Sequence, residues 1–237
     1  MRINPVAKND LIKNSKKITF GSRPILRANL LKVTPDYIVK NIPVEISKLL
    51  PEDLDKINSV FKKWVDKTEF GGDILINFVE RAKYSIARKI NNTDAWDMKF
   101  YMIERLDNVP ADEKIRGFAA IKNSKDELFL DYIQSANEMK EAEKLKGAGE
   151  LLLYSLVKMA KEKGQKIFSL ISCVDDWYEK LGWKMPDNSG DWIKYFDSKN
   201  LPSFFPDLSM QSKKMVLEAN QFDKFLKQVE LKYKIEK

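Results

Sequence analysis

Between residues 98 and 135 the apolar positions fall into three short runs parted by turn-forming residues, and each run has the length of a strand. They are MKFYMIER (98–105), KIRGFAAIK (114–122) and ELFLDYIQS (127–135), the last being the most apolar. Upstream, Ile42, Val44 and Ile46 alternate with polar neighbours, so 38–48 reads as a first strand. Pro51 opens a helix through residue 65, with Leu54, Ile57, Phe61 and Trp64 at helical spacing. A second helix follows Gly71 and Gly72, its stripe formed by Ile74, Phe78, Ala82 and Ile86.

Downstream, residues 148–163 predict a broadly apolar helix. Leu152, Leu156 and Met159 lie on one side, Leu153, Val157 and Ala160 lie beside them, and Gly164 supplies the stop. KIFSLIS (166–172) reads as a buried strand, followed by a brief helix at 174–181 and a strand near 183–185. Residues 214–218 form a last strand. Asn220, with Asp223 as a capping-box partner, then starts a helix whose apolar face is Phe222, Phe225, Leu226, Val229 and Tyr233. This order of elements predicts an α/β domain with a mixed sheet over 37–237. Two stretches lack a period: 1–36, read as an extension with a docked piece around Ile25–Leu31, and 186–212, read as an inserted loop.

Composition narrows the chemistry. With 237 residues, 43% of them hydrophobic, the chain can bury one full core. No run of about 18 apolar residues exists and Met1–Asp10 lacks a secretory apolar stretch, so a cytoplasmic setting without a membrane span is expected. The lone cysteine, Cys173, admits no internal disulfide. Histidine is absent, which excludes Ser-His-Asp and Cys-His machinery and histidine-held metals; no metal is expected. Residues 1–32 carry eight basic groups and one acid, and this difference is the whole net charge of +7. Either the tail is a solvated face or it is where nucleic acid or an anionic membrane would be met.

Two stretches carry the chemistry. KLKGAGELLL (144–153) places Gly147 and Gly149 where a helix begins, so unpaired amides and the helix dipole favour an anion such as a pyrophosphate. Lys144 and Lys146 add positive charge. The stretch has neither the three glycines of a dinucleotide loop nor the Gly-Lys-Ser/Thr of a Walker A loop. WYEKLGWK (177–184) follows one strand after that helix.

Together these resemble the GNAT N-acyltransferase superfamily over residues 113–184. The first matches its Gln/Arg-x-x-Gly-x-Gly/Ala acyl-CoA loop, with Lys144 in the first position. The second matches its Phe-Tyr-x-Lys-x-Gly-Phe signature. Gly117 matches a frequent family glycine. The family's asparagine before the helical aromatic pair is missing, and the connection from Ser135 to Gly147 is longer than the family minimum.

The resemblance implies a mixed, mostly antiparallel central sheet flanked by helices, and acetyl-CoA or another acyl-CoA as co-substrate. It implies direct acyl transfer to an amine, on a small molecule or a protein. The co-substrate would be held by Ile133, Gln134 and Ser135 on a splayed strand and by Lys144, Leu145, Lys146, Gly147, Ala148, Gly149 and Glu150. Tyr178 is the candidate acid, since a phenol's ordinary pKa of about 10 keeps it protonated at neutral pH. Its other reading is a tyrosine that only packs. Asp131 is the candidate base, read by alternation onto one face with Phe129, Ile133 and Ser135; its other reading is a salt-bridged residue. Glu104 and Glu138 rank behind it, and water can also serve. Cys173 reads as a small buried hydrophobe. The chain would be a monomer or homodimer. The rival reading is a non-catalytic binding module acting through its basic tail on RNA, a ribosome or a membrane.

Overall fold

The computed structural model describes residues 23–34, 39–50, 53, 98–136, 143–172, 174–186 and 213–235. The helix expected over 51–65, apart from Asp53, the second helix expected after Gly72, the insertion expected over 186–212, apart from Pro186, and Cys173 and Glu138 lie outside them.

Seven strands form one sheet in chain order: β1 (Arg23–Val33), β2 (Val39–Lys48), β3 (Met98–Arg105), β4 (Ile115–Asn123), β5 (Glu127–Ser135), β6 (Ile167–Ser172) and β7 (Lys213–Glu218). A helical turn, α1 (Ala111–Lys114), precedes β4. Only β5 and β6 run parallel, as they must when a helix makes the crossover between them; every other pair is antiparallel. The fold is thus α/β with a mostly antiparallel sheet, as the motifs implied. Among the described residues no helix is long and apolar enough to cross a membrane.

The crossover helix α2 (Ala148–Glu162) is buried on nearly every side because it lies between the sheet and a final helix, α4 (Ala219–Tyr233). Leu152 approaches Gly117 of β4, while Tyr154 donates to Glu230 of α4 at 3.0 Å. The pairs Lys161–Asp223, Tyr154–Glu230 and Glu150–Lys232 show that α2 and α4 run antiparallel. α4 also touches both edge strands, β1 and β7, so the curled sheet wraps α2 and α4 spans the gap between its edges. Tyr101, Ile103, Ala119 and Ile121 face this core, and the alternate residues Phe100, Met102, Phe118 and Ala120 are buried as well.

Three expectations need correction. The strand at 38–48 is the second, not the first. The docked piece expected around Ile25–Leu31 of the extension is a full edge strand over 23–33: Leu30 is fully buried and pairs with Ile42, with Ala28 and Leu26 packing beside it. Arg23, Arg27 and Lys32 therefore belong to the sheet, and Arg27 pairs with Glu45 at 2.9 Å. Asn220 does not cap α4 either. The helix starts one residue earlier, after extended Glu218, and no side chain caps it; Asp223 is drawn to Lys161 instead. The strand near 183–185 reduces to a single bridge between Lys184 and Val216.

Candidate functional site

β5 and β6 part company midway. Their ladder runs from Glu127–Ile167 to Leu130–Leu170 and stops. β5 nevertheless stays with β4 through Gly117–Ser135, and β6 stays with β7 through Ser172–Lys213. Among the described residues, Asp131–Ser135 therefore lie beyond the end of the β5–β6 ladder. Gly117 permits the close β4–β5 approach here, since a Cβ on it would sit 2.8 Å from the Gln134 carbonyl oxygen. Ile133 packs against the core, Gln134 is buried and its side-chain oxygen accepts from the Tyr132 hydroxyl.

A β-bulge interrupts the β4–β5 register between Ala120–Tyr132 and Ile121–Leu130, leaving Asp131 as the extra residue. This breaks the alternation. Ile133 turns to the α2 side with Leu128 and Leu130, whereas Asp131 reaches Lys122, whose ammonium also lies 5.7 Å from the Phe129 ring centre. The expectation that Asp131, Phe129 and Ile133 share one face is thus wrong. Asp131 is held in an ion pair.

The second part of the site is the start of α2. Gly147 is its N-cap residue at φ 112°, a conformation that favours glycine, and no side chain caps the helix. The amides of Ala148, Gly149 and Glu150 are among those an α-helix leaves without intrahelical partners. Lys144 and Lys146 are exposed beside them and Leu145 is buried. Glu150 accepts from Lys232 at 2.7 Å and from the Tyr233 hydroxyl at 3.0 Å, which neutralises the one acid in this turn. Burial and the Glu150 charge push the Tyr233 phenol up. A helix start of this kind, beside two exposed lysines, favours an anion.

The glycines, however, answer to packing within the chain. A Cβ at Gly147 would enter the Tyr233 ring, and one at Gly149 would lie 3.3 Å from Trp177. Gly147→Ala should accordingly lower stability by about 1–2 kcal/mol from the left-handed backbone, with overpacking against Tyr233 adding about 1–3 kcal/mol. Trimming the ring in Gly147→Ala/Tyr233→Leu should recover the second part only, as read from denaturant midpoints.

The third part is α3 (Asp175–Lys180). Trp177 lies against Gly149, which brings this helix to the loop. Tyr178 is buried, with ring centres 4.7 Å from Trp177 and 6.0 Å from Trp183. Trp183 belongs to the core, edge-on to Phe168 and Phe225. Loop and helix are thus in contact, and β5 ends in the same region of the sheet as Gly117, beneath Leu152 of α2.

Glu104 stands apart from what the sequence ranked. Burial first, then Glu45 directly opposite on β2, push its carboxyl up to about 7, with Lys114 acting the other way. The signal was present: in MKFYMIER it alternates with the buried Phe100 and Met102. The folded chain binds this proton more tightly than the unfolded chain. Glu104 therefore contributes stability that is complete below its ordinary range and is lost as pH rises from about 4.5 through about 7. Glu104→Gln should flatten that decline, measured as the denaturant midpoint across the window.

No family model and no curated protein matches this chain. Solved structures similar to it include N-acetyltransferases. PaiA N-acetyltransferase from Thermoplasma acidophilum, in complex with coenzyme A, is 21% identical over 74% of this chain and 98% of its own, with a TM-score of 0.45. The GNAT family N-acetyltransferase YhbS from Escherichia coli, also with coenzyme A, is 11% identical over 76% and 84%, with a TM-score of 0.44. The ribosomal-protein-S18-alanine N-acetyltransferase from Escherichia coli is 15% identical over 74% and 94%, with a TM-score of 0.43. The GNAT superfamily is the one that the two motifs resemble.

Proposed function

We propose that this protein is an acyl-CoA-dependent N-acyltransferase that moves an acetyl group from acetyl-CoA to an amine within a ternary complex. The observation that carries this reading is the loss of the β5–β6 ladder after Leu130 and Leu170, in a chain whose uncapped glycine turn meets the α3 aromatic pair. Ile133–Ser135, past the end of that ladder, supply backbone groups for an amide-bearing arm. The first amides of α2, with Lys144 and Lys146, supply the anion contacts.

The chemistry asked of the chain is modest. The neutral amine nitrogen attacks the thioester carbonyl carbon, and a β5 amide stabilises charge developing on the oxygen. The carbon–sulfur bond then breaks, and Tyr178 donates a proton to the leaving sulfur. The proton lost by the amine goes to Asp131 or to water. The Lys122–Asp131 ion pair weighs toward water, because that carboxylate is already engaged by an ammonium. The tail-binding alternative is weakened by the basic residues that β1 commits to the sheet.

Acetyl-CoA should raise the melting temperature. At about 100 times its dissociation constant it should add about 2.7 kcal/mol. A folded protein whose melting is indifferent to saturating acetyl-CoA, and which shows no heat of binding, would sink the reading.

A further inference from the structure

Glu143 is the residue from which the chain enters the glycine turn, and three strands hold it. Its carboxylate accepts from Lys32 of β1 and from Arg105 of β3, and its backbone carbonyl accepts from Arg116 of β4. Arg105 is buried and also grips Asp107, with its Nε at 2.7 Å from that carboxylate. One step along β1 from Lys32, Leu31 exchanges two backbone hydrogen bonds with Lys146, at 2.8 and 3.0 Å. The loop is thus pinned at Glu143 by side chains and at Lys146 by backbone, both times against the same end of β1. Gly147 then turns the chain into α2. The lysine and arginine also hold the Glu143 carboxyl below its ordinary range, against the opposing effect of burial, so it stays ionised at neutral pH.

We propose that Glu143 is the positioning residue of the anion-binding turn: by joining β1, β3 and β4 it fixes residues 144–147 before any ligand arrives, so that the α2 amides are preorganised for a diphosphate. This rests on the acyl-CoA reading for the identity of the ligand, but the anchoring itself does not. Preorganisation of this kind contributes affinity by removing the ordering cost of binding. β1 thereby becomes part of the binding apparatus.

The test uses the full chain with Glu143→Ala, Glu143→Gln and Lys32→Ala, the last removing one arm that is partly exposed. Amide hydrogen exchange is followed at Leu31 and Lys146, and kinetics are followed with acetyl-CoA. In Glu143→Ala, exchange at these two amides should quicken about tenfold or more, the scale of one lost charge-assisted hydrogen bond. Exchange within α2 and β6 should stay as it was. KM for acetyl-CoA should rise about tenfold while kcat at saturation holds, since the loss falls on binding alone. Glu143→Gln, which keeps an acceptor without the charge, should fall between. Should Glu143→Ala fail to fold, Lys32→Ala must show the same pattern in smaller measure. Unchanged exchange at Leu31 and Lys146 overturns the proposal, as does faster exchange with an unchanged KM. Faster exchange in a protein that binds no acetyl-CoA at all supports the anchoring and removes the acyl-CoA reading instead.

Discussion

Tyr178→Phe is expected to keep acetyl-CoA affinity and to lose turnover by about 10²–10⁴-fold, the usual scale of general acid catalysis. The side chain is buried between Trp177 and Trp183, where a phenyl ring fills the same volume. The substitution therefore isolates the hydroxyl. If that hydroxyl protonates the leaving sulfur, the deficit should shrink as pH rises past a thiol's ordinary pKa of about 8.5, because the thiolate then leaves unaided. A tyrosine that only packs predicts equal rates for both proteins at every pH. A pH series of turnover at saturating acetyl-CoA separates the two.

Deleting residues 1–33 is expected to abolish cooperative melting. This removes all of β1, including Leu30, which is fully buried against Ile42. Truncating one buried leucine costs about 2–5 kcal/mol, and a whole domain has only about 5–15 kcal/mol to lose. The deletion also exposes the inner edge of β2 and frees Lys146 from Leu31. Leu30→Ala should show the leucine's share alone. A truncated protein that melts like the full chain would show that β1 contributes nothing to the core, against what the burial of Leu30 implies.

The reversal over β1 shows where sequence reading stops. β3 and β5 were legible to the residue, because turn formers bound each run and the runs are apolar enough to be nothing else. In β1 Leu30 lies in the core, with Leu26, Ala28 and Leu31 packed against it. The alternation Leu26, Ala28, Leu30 is only five residues long: Leu31 and Lys32 break it on one side, and Pro24 with the bulge between Pro24 and Leu26 breaks it on the other. An edge strand tolerates such polar residues because one side of it has no neighbour to satisfy. The bulge that displaces Asp131 is equally silent, since nothing in ELFLDYIQS marks which residue the register skips.

The candidate site was legible in its parts and not in their reasons. Gly147, Gly149 and Tyr178 came from two motifs and their spacing, and the parting of β5 from its neighbour came from the family that these motifs resemble. That a side chain at Gly147 would meet Tyr233, at the end of α4, is a tertiary fact that no local pattern carries. Glu143 escaped for the same reason, because its partners come from three strands distant in sequence.

Acyl transfer itself is tested most directly by mixing the full chain with acetyl-CoA and a panel of primary amines, small molecules and peptides alike, and following free thiol together with the acetylated amine by mass spectrometry. The account predicts thiol release that requires an amine, matches the N-acetyl product one for one, and collapses in Tyr178→Phe. A protein that binds acetyl-CoA but releases no thiol above the spontaneous rate with any amine would contradict it.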